Sequence, residues 1–403
     1  IHAEDKSYFY QDYRFGNKVF DADYEANQIS LFKQNAPAII KKFMNRTKLE
    51  YDAFSTLLDK NYPPKFKDQM LNGFGGMADA TGISTSYSYQ VKLGDPEHKS
   101  SANLETDLPS SQGITDFMVV WEQSKRKVHW SADHKQLLDG GGQWNGNIPI
   151  PMFRNLAAQL TMGFGAETDV RVSAFAETLL ENLPAPVYPF DVDMDKANKG
   201  SDLYQQNCKA CHKSNNGEVY QIGTDSGRAH VISNAIAANA RKGFTTICSP
   251  NTTVDMPVLG NIKPCAKFDE VSLVGKAELA MMSPAQHDGY NALPLGGVWA
   301  QAPYLHNGSV PTIYHLLMPN ERPTTFIKSR LDYDQKLLGF SWVMTANKQD
   351  EKEEGYLYDT QAIQAFSNAG HDKDITIENQ RCKLDWSNDK AGAMAIIEYM
   401  KTL

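Results

Sequence analysis

Long apolar runs and long clusters of one charge are both missing from this sequence of 403 residues. No stretch reaches the roughly eighteen apolar residues that a membrane-spanning helix needs. The longest basic cluster, Lys125-Arg126-Lys127, is too short to follow a nucleic-acid backbone. Residues 1–13 are polar and aromatic and do not resemble a signal peptide. We therefore expect no transmembrane segment, no nucleic-acid partner and, if the protein is exported, a signal that has already been removed.

Cysteine is also scarce: the chain has five, and none precedes Cys208. Cys208 and Cys211 form a close pair. Cys248 and Cys265 flank a loop rich in Pro, Asn and Thr, where a disulfide would restrain an irregular segment. We predict that disulfide, with two buried free thiols as the alternative. Cys382 is then left without a partner.

Length and composition are those of a globular protein of two domains, with 41% hydrophobic and 22% charged residues. Apolar residues at helical spacing favour a mainly α fold with long loops. The segment Leu183-Pro184-Ala185-Pro186 ends a helix and marks the best boundary, giving domains 1–190 and 191–403. Helices are predicted from Asp195 to Cys208 and near the C-terminus, the latter capped by Ser387 or Asn388.

The motif that carries chemistry is Cys208-Lys209-Ala210-Cys211-His212. Two cysteines three residues apart place both sulfurs on one face of a helical turn, where the vinyl groups of a haem can form thioether bonds. The adjacent His212 is then the proximal iron ligand. A zinc half-site would need a second Cys or His pair nearby, and a redox dithiol would usually follow a strand. The motif therefore predicts one covalently attached haem c.

The second axial ligand of the iron is not decided by spacing. Met256, His306 and His371 are candidates, and each alone is more often a packed or solvated residue than a ligand.

A longer stretch, Pro294 to Pro311 (PLGGVWAQAPYLHNGSVP), resembles the C-terminal haem domain of the bacterial rubber oxygenases. These belong to the superfamily of dihaem cytochrome c peroxidases and methylamine-utilisation dihaem enzymes. The resemblance is good over residues 190–403 and loose before them. Other elements of the pattern are Ile222-Gly223-Thr224-Asp225, Arg228, Arg322-Pro323, Phe326, Gly339-Phe340, Ser367-Asn368-Ala369-Gly370-His371 and the terminal Glu398 to Leu403.

The resemblance implies two cytochrome-c-like domains and makes His371 the distal ligand opposite His212, so that the haem is bis-histidine. It places His306 near the haem edge, as a structural residue or a contact of a propionate. The chain departs from the family in its N-terminal half, which has no cysteine and cannot attach a haem through thioethers. That half is then a degenerate domain without covalent haem. His98, His129 and His134 could hold a second haem non-covalently, but each is better explained as a surface or core residue.

Two functions follow from these residues. The first is electron transfer through one bis-histidine haem c, because two imidazoles leave no open position on the iron. The alternative is a haem peroxidase or oxygenase, which requires a displaceable His371 and a distal acid–base group such as His306 or His230. A subunit of a larger redox assembly is a third possibility.

Partners and location follow from the haem and from the net charge of −8. An acidic surface is consistent with a basic redox partner protein. Covalent haem attachment takes place outside the bacterial cytoplasm, so we expect a periplasmic or otherwise exported bacterial protein. The sequence has no dedicated calcium loop.

Overall fold

The structure is a computed structural model, and the chain forms two compact units, Ile1–Lys67 and Asp68–Leu403. All described residues belong to the second unit. The predicted boundary between residues 190 and 191 stays a prediction. The described residues are 78–79, 113–116, 118–126, 129–130, 137–138, 148, 154–156, 170–214, 218–232, 234, 237, 253–256, 260–262, 288–328, 333–340, 342 and 356–403.

Four helices are bounded within the described residues. The first ends directly before Leu183-Pro184, as predicted, because proline cannot continue a helix. The third is a short helix that follows Pro311. The helices are α1 (Val170–Asn182), α2 (Met194–Asn207), α3 (Ile313–Leu317) and α4 (Lys390–Met400).

The strands are short and pair antiparallel, two at a time. The longest ladder joins Thr325 to Asp359 and Lys328 to Tyr356. The pairs are β1 (Ala78–Asp79) with β2 (Ile114–Thr115), β3 (His129–Trp130) with β4 (Leu137–Leu138), β5 (Val219–Tyr220) with β8 (Tyr290–Asn291), β6 (Val254–Met256) with β7 (Gly260–Ile262), β9 (Thr325–Lys328) with β12 (Tyr356–Asp359), β10 (Tyr333–Asp334) with β11 (Gly339–Phe340), and β13 (Ile375–Ile377) with β14 (Gln380–Cys382).

The prediction of a mainly α fold is wrong. Of the described residues, 34% are helical and 16% lie in strands, and two cytochrome domains are not seen among them. Prolines explain much of the difference, because each lacks an amide donor and interrupts a helix. Five of them fall between residues 294 and 323. This stretch therefore folds into turns, 3-10 turns and short ladders instead of long helices.

Helices α2 and α4 both begin at aspartate caps. The Asp193 carboxylate accepts a hydrogen bond from the Lys196 amide at 3.1 Å, which starts α2. The Asp389 carboxylate accepts from the Gly392 amide at 2.9 Å and starts α4. Both predicted helices are confirmed, but the cap of the last one is Asp389 and not Ser387 or Asn388. Aspartate, asparagine and serine cap about equally well, so composition could not choose between neighbours.

Helices α2 and α4 cross at Gly200. A Cβ atom at this position would lie 1.9 Å from the Ala395 carbonyl oxygen, so only glycine permits this approach of the two backbones. Nearby, the rings of Tyr204 and Tyr399 pack with centroids 5.1 Å apart. The main core surrounds this crossing and includes the buried Trp386, Ile396 and Ile397. Burying a large apolar side chain stabilises the folded state by about 1.5–3 kcal/mol. The end of α2, which carries the cysteine motif, is thereby held against the C-terminal helix.

No helix among the described residues is long and apolar enough to cross a membrane.

A buried histidine in α3 gives a prediction about acid stability. His315 is 1% exposed, and its Nδ1 lies 2.7 Å from the Thr312 hydroxyl oxygen. Burial lowers the pKa of His315 from its ordinary value of 6.5 to about 4. Below pH 6.5 the unfolded chain therefore binds a proton that the folded chain does not, and stability falls as the pH drops towards 4.

We expect His315→Asn to remove up to about 3 kcal/mol of the loss of stability between pH 7 and pH 4. The free energy of unfolding, measured with denaturant at several pH values, provides the test. His230→Asn is the matched control, because the His230 side chain is 42% exposed. Equal pH slopes for the parent and His315→Asn would contradict this assignment.

Candidate cofactor site

A cavity of about 170 Å³ lies between the end of α2, the β5–β8 ladder, α3 and the loop that holds His371. Its walls are mostly apolar, with a few polar side chains, which is the usual character of a cofactor pocket. All five predicted site residues border this cavity, although they come from three separate segments of the chain. The site residues on its wall are Cys208, Cys211, His212, His306 and, from the third segment, His371.

Both cysteines lie on one turn that continues α2. The Cys208 amide donates to the Tyr204 carbonyl at 2.8 Å, and the His212 amide donates to the Cys208 carbonyl at 3.0 Å. This turn carries both sulfurs to the cavity wall, and neither forms a disulfide. The motif therefore forms the turn that its spacing predicts, with both sulfurs on one side.

His212 is held by one backbone carbonyl. Its Nδ1 lies 2.6 Å from the carbonyl oxygen of Leu293, to which it donates. Burial lowers the pKa of His212, and this hydrogen bond offsets part of the effect. The ring is therefore a neutral imidazole with its proton on Nδ1 and the lone pair of Nε2 free to bind a metal. Metal-binding histidines are commonly oriented by such a hydrogen bond.

His371 borders the same cavity from a different segment. Burial is the main reason that the pKa of His371 falls to about 3, and the His212 ring and the Arg322 guanidinium lower it further. His212 and His371 thus border one cavity from separate segments. The His371 Nδ1 has no hydrogen-bond partner among the described residues. His371 is thus a second neutral imidazole, enclosed by protein and bordering the cavity.

The backbone at His371 is unusual. His371 has a φ of +52° and Gly370 a φ of +94°. The His371 amide donates to the Ile222 carbonyl at 2.9 Å. A Cβ atom on Gly370 would lie 2.4 Å from the Thr224 nitrogen, so the loop can approach this segment only with glycine. The position of the imidazole is therefore set by the backbone around it.

Arg322 clamps this loop from the other side. Its guanidinium makes five hydrogen bonds of 2.6–3.3 Å, and each goes to a different carbonyl oxygen. Burial lowers the pKa of Arg322 to about 10, so the group remains charged at neutral pH. The acceptors join α3 to the loop and belong to His315, Leu316, Asn368, Gly370 and His371.

His306 lies against Tyr290 on the same cavity. The two rings stack with centroids 4.1 Å apart, and the His306 side chain is 3% exposed. Neither ring nitrogen has a hydrogen-bond partner among the described residues. Burial, followed by the charge of Arg228, lowers the pKa of His306 to about 3. A buried neutral imidazole with two unused nitrogens fits a site that a polar ligand group completes.

The loop that carries His306 is fixed by its neighbours. The Asn307 amide nitrogen donates to the carbonyls of Ala365 and Ser367, each at 2.9 Å. The His306 carbonyl accepts from the Asp116 amide at 2.7 Å. Asn307 thereby connects the His306 loop to the segment that leads into His371.

The remaining candidates are His230, whose side chain is described, and several residues whose side chains are not. His230 is exposed, bonds to Asp288 and is not on the cavity wall. The Met256 side chain and His98, His129 and His134 lie outside the described side chains, as do Cys248 and Cys265, so their predictions stay untested. The described residues also contain no group of three or more His, Cys, Asp or Glu that could hold a metal ion by itself.

The residues at the cavity fit a c-type haem. Two neutral imidazoles would supply axial nitrogens, two free thiols would supply thioether sulfurs, and apolar walls would exclude water. The orphaned nitrogens of His306 and the buried Nδ1 of His371 are the polar atoms that remain to be used.

Sequence reasoning missed several residues that shape this site. The Leu293 carbonyl is a backbone group and gives no side-chain signal. Tyr290 and Asn307 were not singled out, and Arg322 was noted only as part of the family pattern. Cys382 was left without a partner. A contact between distant segments gives no local signal in one sequence.

The cysteine and histidine residues at the cavity are compatible in kind with a c-type cytochrome, and the family comparison points to the same class. Residues 289–327 match a family model described as RoxA-like, cytochrome c-like. The predicted relationship to rubber-oxygenase-like cytochromes is confirmed at the level of this superfamily. The domain indicates haem c as cofactor.

Two relatives from Sinorhizobium fredii are similar to this chain. It is 30% identical to the uncharacterized protein y4iM over 431 residues, which cover 100% of this chain and 95% of that protein. It is 30% identical to the uncharacterized protein y4iJ over 273 residues, which cover 57% of this chain and 43% of that one. The chain therefore belongs to the family of y4iM.

Proposed function

We propose that the chain is an electron-transfer cytochrome with one covalent haem c, attached through Cys208 and Cys211 and ligated by His212 and His371. One observation carries this proposal: two neutral imidazoles from separate segments border one apolar cavity beside two free thiols. The bound haem would supply a one-electron iron couple. Two imidazoles favour ferric iron more than an imidazole and a thioether do, so the reduction potential is on the low side for a cytochrome c.

The residues around the site would hold the ligands and keep water away. The Leu293 carbonyl orients His212, and Arg322 with Gly370 holds the loop of His371. His306, neutral and stacked on Tyr290, would donate a ring N–H to a haem carboxylate beside Arg228.

The partner and the location belong to the same proposal. The net charge of −8 suits a basic redox partner protein, and covalent attachment implies export from the bacterial cytoplasm. Membership of a larger redox assembly remains compatible with this role, since the N-terminal half has no cysteine to attach a haem.

A second function, a peroxidase or oxygenase, is favoured by one feature. His306 borders the cavity with both ring nitrogens unpaired among the described residues, as an acid–base group would. With a pKa of about 3 it is a neutral imidazole at neutral pH, which has a lone pair to accept a proton but lacks the acidic proton of an imidazolium. It could therefore act only as a base.

Optical spectra of the purified full chain test the proposal, recorded in the ferric and ferrous states with and without carbon monoxide and calibrated for haem per chain. We expect one low-spin haem that does not respond to carbon monoxide. Cys211→Ser should lower covalent attachment sharply, as seen by haem staining after denaturing electrophoresis. A high-spin ferric band or a carbon monoxide shift would contradict electron transfer and favour the enzyme. A second haem per chain would contradict the single site.

A further inference from the structure

Three of the five cysteines lie close together at the end of α2, and two of them, Cys208 and Cys211, border the cavity. Cys382 ends strand β14 and is completely buried, and its thiol is hydrogen-bonded to the thiol of Cys211. Burial, and then the nearby Cys382 and Cys211 sulfurs, raise the pKa of Cys208 to about 12. All three are free thiols.

Hydrogen bonds on both sides of Cys382 bring it to the motif. The side-chain amide of Gln380 donates to the Gln206 carbonyl, and the backbone amide of Lys383 donates to the Asn207 side-chain oxygen at 3.2 Å. Both acceptors lie in the last turn of α2, directly before Cys208. The hairpin is itself closed by the ion pair between Arg381 and Asp374 at 2.7 Å. The contact between Cys382 and Cys211 is therefore built by the fold and does not depend on one mobile side chain.

We propose that Cys382 is the disulfide partner of Cys211 in the haem-free chain, and that this disulfide blocks haem attachment at Cys211 until a dithiol reduces it. The haem-attachment part rests on the proposed function, whereas the disulfide does not. Two sulfurs already in contact need to approach only to about 2 Å to bond.

The oxidant that forms this disulfide is a thiol–disulfide oxidoreductase in its disulfide form. The Cys211 and Cys382 thiols lose two electrons and two protons, the disulfide of the oxidoreductase takes them up, and one S–S bond forms as another breaks. Thioether formation adds the S–H of Cys211 across a vinyl C=C bond, so a Cys211 in disulfide form cannot react. A reduced dithiol of the same class returns both thiols.

The linkage can be mapped in the full chain produced without haem attachment. The protein is equilibrated in a glutathione redox buffer, its free thiols are alkylated, and its peptides are identified by mass spectrometry without reduction. Trypsin cleaves after Lys209, which separates Cys208 from Cys211. Cys208→Ser removes the competing partner within the motif, and we expect a peptide pair that links Cys211 to Cys382 in this variant and in the parent chain. Full alkylation of both thiols in the folded Cys208→Ser protein would overturn the proposal.

The amount of haem attached tests whether the disulfide blocks attachment at Cys211. When the chain is produced with the attachment machinery and limiting dithiol reductant, Cys382→Ser should raise the haem-to-chain ratio about two-fold or more. Cys382→Ala gives the same comparison if serine at this buried position impairs folding. Added reductant should bring the parent chain to the level of the variant. An unchanged ratio in both variants, beside a mapped disulfide, would overturn the block on attachment.

The two proposals fail in different ways. If no variant binds haem covalently, the proposed function is wrong, while the peptide map still decides the disulfide.

Discussion

Replacing His371 by alanine is expected to convert the low-spin ferric haem to a high-spin one and to open the ferrous iron to carbon monoxide. The change removes one of the two imidazoles that are proposed to bind the iron, and it leaves His212 as the remaining one. Optical and electron paramagnetic resonance spectra would measure the conversion, which should be nearly complete. Added imidazole should restore the low-spin spectrum, because it replaces the missing ligand.

His230→Ala is the matched control for this experiment. His230 is exposed and bonds to Asp288 away from the cavity, so its removal should leave the spectrum unchanged. A His371→Ala protein that stays low-spin and ignores carbon monoxide would contradict the assignment. The second ligand would then be one of the other sequence candidates, Met256 or His306.

Replacing Arg322 by glutamine should loosen the loop that holds His371 and lower the reduction potential. The change removes up to five hydrogen bonds to carbonyl oxygens and a fixed positive charge close to His371. Leaving these buried groups unpaired should cost about 3–5 kcal/mol of the free energy of unfolding. Loss of the charge favours ferric iron, so the midpoint potential should fall on the order of tens of millivolts.

Arg322→Lys separates geometry from charge. Lysine keeps the charge but cannot reproduce the planar set of five N–H donors. We expect its potential to stay near that of the parent while its loop is destabilised and part of the haem becomes high-spin. Arg381→Gln is a control for charge removal, because this side chain is 79% exposed and pairs with Asp374 on the surface. An unchanged potential in Arg322→Gln would show that the charge of Arg322 does not act on the site.

The two halves of the chain have different capacities for redox chemistry. The N-terminal half lacks cysteine, so an activity that needs two covalent haems in one chain cannot be transferred here from dihaem enzymes. The Trp121 indole nevertheless donates to the Gly296 carbonyl at 2.7 Å, and Lys328 forms a buried ion pair with Asp116 at 2.9 Å. Residues before position 190 therefore help to hold the segment that carries His306.

The sequence by itself determined what depends on neighbouring residues. The spacing of Cys208, Cys211 and His212 predicts both thiols and an imidazole on one turn, since residues three and four apart share a helix face. Pro184, two residues after Asn182, ends α1 for an equally local reason, because proline cannot continue a helix. The missing cysteines before Cys208 exclude a thioether-bound haem in the N-terminal half, whatever the fold. The resemblance to rubber oxygenases indicated His371 and His306, which no spacing could supply.

Only the tertiary structure decided the fold class and which residues contact each residue of the site. The mainly α prediction failed because the long stretches between the predicted helices fold into turns, 3-10 turns and two-stranded ladders. The Leu293 carbonyl beside His212, the five acceptors of Arg322 and the thiol contact of Cys382 with Cys211 join segments far apart in the chain. Such contacts depend on how helices and loops pack, and packing is set by the summed burial of many side chains rather than by any local pattern.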